Sequence, residues 1–177
     1  MLHEIHKFRQ HDEGLCGLYT IVNALSILFP GSMSGLKGAV LVSRLAQALP
    51  GDFSAVVREG TDREQMELML PAARKWTEEQ GWPAWGWRAM HPEGGKAQAF
   101  WDKVRAELQE PGRTALIGFG DYDRPSAIYE PHWSCIEKVT PTFVELRDSD
   151  EYHRVRRSRT GIRPEPGWEI EDCFILG

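Results

Sequence analysis

An α+β fold is what this chain of 177 residues predicts, and three observations predict it. Up to about residue 110, apolar residues recur at three- and four-residue spacings, the period of a helix with one buried face. From residue 111 the pattern changes to short alternating or continuous apolar runs, which suit strands. Pro-Gly pairs at 30–31, 50–51 and 111–112 break the chain between these blocks. Helices first and strands second give a helical part over residues 1–110 packed on an antiparallel sheet over residues 111–177. At this length the two parts form one domain, 1–177, and a hydrophobic fraction of 41% suffices for a real core.

The first element is the clearest. Leu15, Leu18, Ile21, Val22, Leu25 and Leu28 place a largely buried helix over residues 14–29, ended by Pro30-Gly31. Val42, Leu45, Ala46 and Leu49 predict a second helix, closed by Pro50-Gly51. A third spans residues 62–80, with Asp62 as N-cap and Met66, Met69, Leu70, Ala73 and Trp76 on one face; Pro71 within it is expected to start or kink the helix. Residues 81–90, with three of the seven tryptophans, read as a strand or an aromatic-lined loop. A last helix over 99–110 stops at Pro111-Gly112. Strands follow at 114–120, 132–139, 142–149 and 168–176. There is no internal repeat and no low-complexity tract.

The net charge of -5 argues against nucleic-acid binding, which needs clustered Lys and Arg to neutralise phosphates. Arg154, Arg156, Arg157, Arg159 and Arg163 form a basic run, but Ser, Thr and Gly are interleaved with it, and it reads as a solvated loop or strand face. No signal-peptide pattern and no apolar run of membrane-spanning length occur, so a soluble, cytoplasmic protein is expected, with no membrane partner. Three distant cysteines suit free thiols in a reducing compartment, and the lack of a C-x-x-C pair argues against structural zinc. No metal and no organic cofactor is expected.

Chemistry concentrates at Cys16. A thiol attacks a carbonyl usefully as the thiolate, and the start of a helix, with free N–H groups and the positive end of the dipole, favours that form. Cys16 falls at the first turn of the apolar helix, with Gly14 and Gly17 beside it where a substrate backbone would approach closely. The thiolate needs an imidazole held in one tautomer by an acceptor. His132 opens one predicted strand and Asp148 closes the next, so a hairpin through Thr140-Pro141-Thr142 brings the two together. Asp150, two residues on, would face the same side and competes with Asp148. Gln10, six residues before Cys16, can supply an amide donor for an oxyanion, with His6 and His11 as neighbouring polar groups. Trp133 shields the His–Asp pair, lines a groove or belongs to the core. Cys135 and Cys173 lie within strand patterns and read as packing residues.

The order Gln10, Cys16-Gly17, His132-Trp133, Asp148 resembles the papain-like cysteine peptidase superfamily. The compact version is similar to the double-glycine leader peptidases of bacterial peptide exporters. The opening LHEIHKFRQHDEGLCGLYTIVNAL and the pair HW…LRDS also resemble the Josephin deubiquitinases. The resemblance implies a papain-like fold with its site in the cleft between helices and sheet. It further implies a thiol hydrolase that cleaves peptide or isopeptide bonds through an acyl-enzyme on Cys16, with His132 as base, Asp148 as orienting group and Gln10 in the oxyanion hole. This chain has Cys16-Gly17-Leu18 where papain has Cys-Trp, and Asp148 where papain has Asn.

The expected partner is a peptide or protein substrate, with a ubiquitin-like tail among the options; Gly14, Gly17 and Trp133 are the candidate substrate contacts. The same three groups would also support transglutamination, deamidation or acyl transfer, because a thioester partitions between amines and water. A papain-like binding module without turnover is the alternative of a different class. The sequence leaves the oligomeric state open.

Overall fold

The computed structural model describes residues 14–91, 97–121, 130–149, 153–161 and 168–177. Its architecture is α+β: helices and a sheet whose six main strands pair antiparallel in the order β1-β7-β2-β3-β4-β5, with β6 joining β7 in parallel. Helix α1 (Cys16–Leu28) is followed by α2 (Gly35–Ala48), α3 (Phe53–Glu59) and α4 (Arg63–Glu79). The edge strand β1 (Trp87–Ala89) precedes α5 (Ala97–Glu107). Then come β2 (Thr114–Asp121), β3 (Glu130–Val139), β4 (Phe143–Arg147), β5 (Arg154–Arg156), a short 3-10 turn, β6 (Thr160–Gly161) and β7 (Trp168–Leu176). No helix among the described residues is long and apolar enough to cross a membrane.

Apolar periodicity places each long helix. In α1, Leu18, Ile21, Val22 and Leu25 are fully buried, and the helix lies on β3. Helix α4 begins where its sequence provides a capping box: Asp62 Oδ1 accepts from the Gln65 backbone N–H at 2.7 Å, and Gln65 Oε1 accepts from that of Asp62 at 2.9 Å. Pro71 does not start this helix, the first of the two expectations for it, and sits inside it on the solvent side. There the carbonyl that loses its N–H partner can turn to water.

Alternation along β2 builds two cores. Leu116, with Trp133, Cys135, Phe174 and Leu176, faces α1, α2 and α4. Ala115, Ile117 and Phe119, with Ile136 and Ile175, face the side covered by α5 through Phe100, Trp101 and Val104. The sheet is thus covered by helices on both faces. The tryptophan-rich segment, expected as a strand or loop, supplies the strand β1, which pairs with β7. The basic run is only partly a solvated face: Arg154 and Arg156 lie over the Phe143 ring, while Arg157 is 3% exposed and donates to Thr140 O at 3.1 Å, Gln98 O at 3.0 Å and Asp102 Oδ1 at 2.6 Å. Arg159 is described in its backbone alone, and Arg163 lies outside the described residues.

Candidate active site

Cys16 is the first residue of α1 and is buried. The end of this helix differs from those of its neighbours. Helices α2, α3 and α4 have side-chain N-caps from Ser34, Asp52 and Asp62, whereas α1 starts behind Leu15 with no side-chain cap and no acidic residue in its first turn. Its leading N–H groups and the positive end of its dipole therefore meet Cys16 without a competing side-chain acceptor at the cap.

The glycines beside Cys16 serve the chain itself. A Cβ on Gly14 would stand 2.8 Å from Val56 O, Val57 O and Gly60 N, and the Gly14 N–H donates to Val57 O at 2.8 Å. A Cβ on Gly17 would stand 2.8 Å from the Thr61 side chain and 2.9 Å from Met66 Sδ. The close approach that these residues allow is taken up by the end of α3, the start of α4 and the connection between them.

His132 and Asp148 meet through the β3–β4 hairpin. Pairing of Cys135 with Arg147 and Ile136 with Leu146 sets the register, so residue 148 lies just beyond β4 on the face His132 occupies. Asp148 is fully buried, and its Oδ2 lies 2.9 Å from His132 Nε2, where the ring N–H donates to the carboxylate. Nδ1 is then the ring nitrogen left for Cys16, whose side chain hydrogen-bonds the imidazole. Burial pulls the His132 pKa down, but hydrogen bonds and charge from Asp148 and Cys16 outweigh it and hold it up at about 10. Across the sheet, Phe119 pairs with His132 and packs its ring 5.3 Å from the imidazole.

Trp133 is buried rather than open to solvent. It stacks on Phe174 with centroids 5.9 Å apart, and its Nε1 donates to Thr61 O at 2.7 Å. Its backbone carbonyl accepts from Thr20 Oγ1 at 2.8 Å, which ties β3 to α1. One edge of the indole reaches a cleft of about 460 Å³ that also borders His132. Gly118 forms the cleft floor: a Cβ there would meet the Trp133 ring at 3.1 Å. Beside it the register of β2 against β7 slips between Gly118 and Phe119, a bulge next to the site. The walls come from Thr61, Asp62 and Arg63 at the start of α4 and from Glu171 and Asp172 on β7.

Sequence reasoning missed those wall residues. A capping box at Asp62 and a glycine inside an apolar strand were the only local signals, and neither indicates a cleft. Gln10, with His6, His11 and Asp150, lies outside the described residues. The other two thiols are free and fully enclosed; burial pushes Cys135 and Cys173 up to about 12.

No family model matches this sequence, and no curated protein does. Among solved structures, the Pseudomonas avirulence protein AvrPphB superposes with a TM-score of 0.40 at 12% identity, over 89% of this chain and 84% of that one. A likeness at that level carries no functional argument.

Proposed function

We propose that this chain is a papain-like thiol hydrolase that cleaves a peptide or isopeptide bond through an acyl-enzyme on Cys16. One observation carries the reading: a single buried imidazole meets the Asp148 carboxylate through Nε2 and also interacts with the Cys16 side chain. The uncapped start of α1 supports it, because charge developing at the thiol and at a nearby carbonyl oxygen would be met by free N–H groups.

In the proposed reaction His132 takes the Cys16 proton and Asp148 holds the resulting imidazolium. Cys16 sulfur bonds to the substrate carbonyl carbon, with the Cys16 backbone N–H and the Gln10 amide facing the oxyanion. When the C–N bond breaks, the imidazolium gives its proton to the leaving amine. Water then attacks the thioester with His132 as base, which releases a carboxylic acid and restores the thiol. The proposed partner is a peptide or protein chain.

The test is a panel of electrophilic peptide probes and one ubiquitin-tail probe, read by intact mass on the unaltered chain and on Cys16→Ala. A covalent adduct with at least one probe, lost in Cys16→Ala, is the expected result, and the probe that reacts identifies peptide or ubiquitin-like selectivity. Turnover of the matching amide substrate distinguishes a hydrolase from a binding module, and product formed with added amines reveals acyl transfer. Adduct formation that persists in Cys16→Ala would overturn the proposal.

A further inference from the structure

Helix α1 brings Cys16 to the site and β3 brings His132, and most of what joins the two elements is apolar. Leu18, Ile21, Val22 and Leu25 lie in the core between helix and sheet. Such burial holds elements together without direction, because it depends on the area removed from water and not on the angle of approach. A shift of about 1 Å in a reacting group can cost on the order of 10²-fold in rate. A directional contact is therefore needed where nucleophile and base meet.

One polar bond stands at that place. Thr20 is fully buried, and its Oγ1 donates to the Trp133 carbonyl at 2.8 Å, across 113 residues of sequence. At the helix end, Thr20 is four residues after Cys16, one turn along the same face. At the strand end, the acceptor belongs to the residue that follows His132. The bond therefore crosses from α1 to β3 one helical turn from the contact between Cys16 and His132. A threonine inside a helix ordinarily turns its hydroxyl back to a carbonyl three or four residues earlier. Ser26, further along α1, does this by donating to Asn23 O at 2.6 Å, whereas Thr20 gives its one donor to another element. The acceptor is equally particular: β4 pairs with β3 only from Cys135 onward, so Trp133 stands beyond that ladder and its carbonyl takes a donor from the helix.

We infer that Thr20 is a positioning residue for the proposed hydrolysis: its hydroxyl fixes α1 along β3 and so holds the Cys16 sulfur within reach of the His132 imidazole. Thr20 touches no substrate and moves no proton; it acts through the placement of the two groups that do. This rests on the reading of Cys16 as nucleophile. It adds to that reading the contact that keeps thiol and base together.

The experiment is a double-variant cycle on the full chain, read as the second-order rate of iodoacetamide labelling at Cys16 at pH 7 and mapped by peptide mass. Thr20→Val keeps the side-chain shape and removes the donor, while Thr20→Ser keeps the donor. The valine variant is expected to label about tenfold more slowly than the unaltered chain, and the serine variant to stay within about twofold of it. His132→Ala should slow labelling by about tenfold or more in the unaltered chain but by about twofold or less in Thr20→Val, where the imidazole is already out of reach. Thr114→Val is the control. It removes another buried hydroxyl that donates at 2.8 Å to a β3 carbonyl, that of Ile136, but from β2 and not from α1. It should lower the urea unfolding midpoint, as Thr20→Val does, and leave the Cys16 rate unchanged. Thr20→Ala, with the same expectations, replaces a valine variant that does not fold. An unchanged rate in Thr20→Val, a full His132 effect retained in that variant, or an equal slowing by Thr114→Val would each overturn the positioning role. The unaltered chain separates the two layers of the inference. If Cys16 labels faster than Cys135 there and the cycle shows no coupling, the role of Thr20 alone fails; if Cys16 is no faster than Cys135, the nucleophile reading fails and Thr20 has nothing to position.

Discussion

The indole N–H of Trp133 donates to the Thr61 carbonyl across 72 residues of sequence, at 2.7 Å and out of contact with solvent. This bond joins the strand that carries His132 to the segment that packs against Gly17, the residue after Cys16. The two halves of the site are therefore held by a residue that the proposed chemistry does not use.

Trp133→Phe keeps the stack on Phe174 and removes the donor, leaving the Thr61 carbonyl buried without its partner. A loss of about 1–3 kcal/mol in urea unfolding is expected, with a larger loss of about 3–5 kcal/mol for Trp133→Ala. A Phe variant as stable as the unaltered chain would show that the bond contributes nothing to holding the site together.

The His132–Asp148 pair makes stability depend on pH. The His132 pKa is about 10 in the fold against 6.5 for the free side chain. A group whose pKa is raised on folding contributes stability that is fully present below the unfolded value and lost as pH rises through the folded one. The melting temperature should therefore fall between pH 7 and 10, and Asp148→Asn, which removes the charge that holds the proton, should flatten that fall. Equal slopes for the two proteins would refute the coupling. In a turnover assay the same variant should lose on the order of 10²–10⁴-fold in kcat, since the ring then lacks its orienting carboxylate.

Gly17→Ala tests whether the glycine beside Cys16 is there for packing. Its new Cβ would stand 2.8 Å from Thr61 and 2.9 Å from Met66 Sδ, too close for either to remain in place. A loss of about 1–3 kcal/mol is expected, measured by thermal or urea unfolding. Gly35 makes the matching control, because a Cβ there meets nothing within 4 Å and the substitution should be close to neutral. Similar losses at both positions would mean that the contact with Thr61 does not set the cost, because helix propensity favours alanine over glycine at both.

The legible parts of this molecule are those whose partners are close in sequence. Residues 168–176 were legible as β7 over its whole length, because an alternating start followed by the apolar run Cys173–Leu176 is too short for a helix and reads as a strand. His132 and Asp148 were legible as a pair because a short hairpin brings the ends of its two strands together, with Asp150 as the competing carboxylate. Helix α3 escaped notice because its seven residues hold two turns and no repeat of the apolar pattern. The cleft was illegible for a different reason: Thr61, Gly118 and Asp172 become neighbours only through the order of the sheet and the placement of α4 on it. Gly17 was legible as a glycine that permits a close approach, but not what approaches it.

The three thiols offer the most direct check on the chemistry, because their surroundings differ so strongly. Cys135 and Cys173 are enclosed in the two cores with pKa values pushed up to about 12, so on the order of 10⁻⁵ of each is thiolate at pH 7. Cys16 faces an imidazole that keeps its proton to about pH 10 and offers it to the sulfur. Iodoacetamide at pH 7 should therefore give a single adduct, mapped to Cys16 by peptide mass, and Cys16→Ser should give none. The rate should depend on the neighbour as well as on access: His132→Ala is expected to slow labelling by about tenfold or more, although removing the ring opens the site. A faster reaction in His132→Ala would mean that the imidazole only covers the thiol. In that case Cys16 would join the other two cysteines as a packing residue, and the proposed hydrolase would lose its nucleophile.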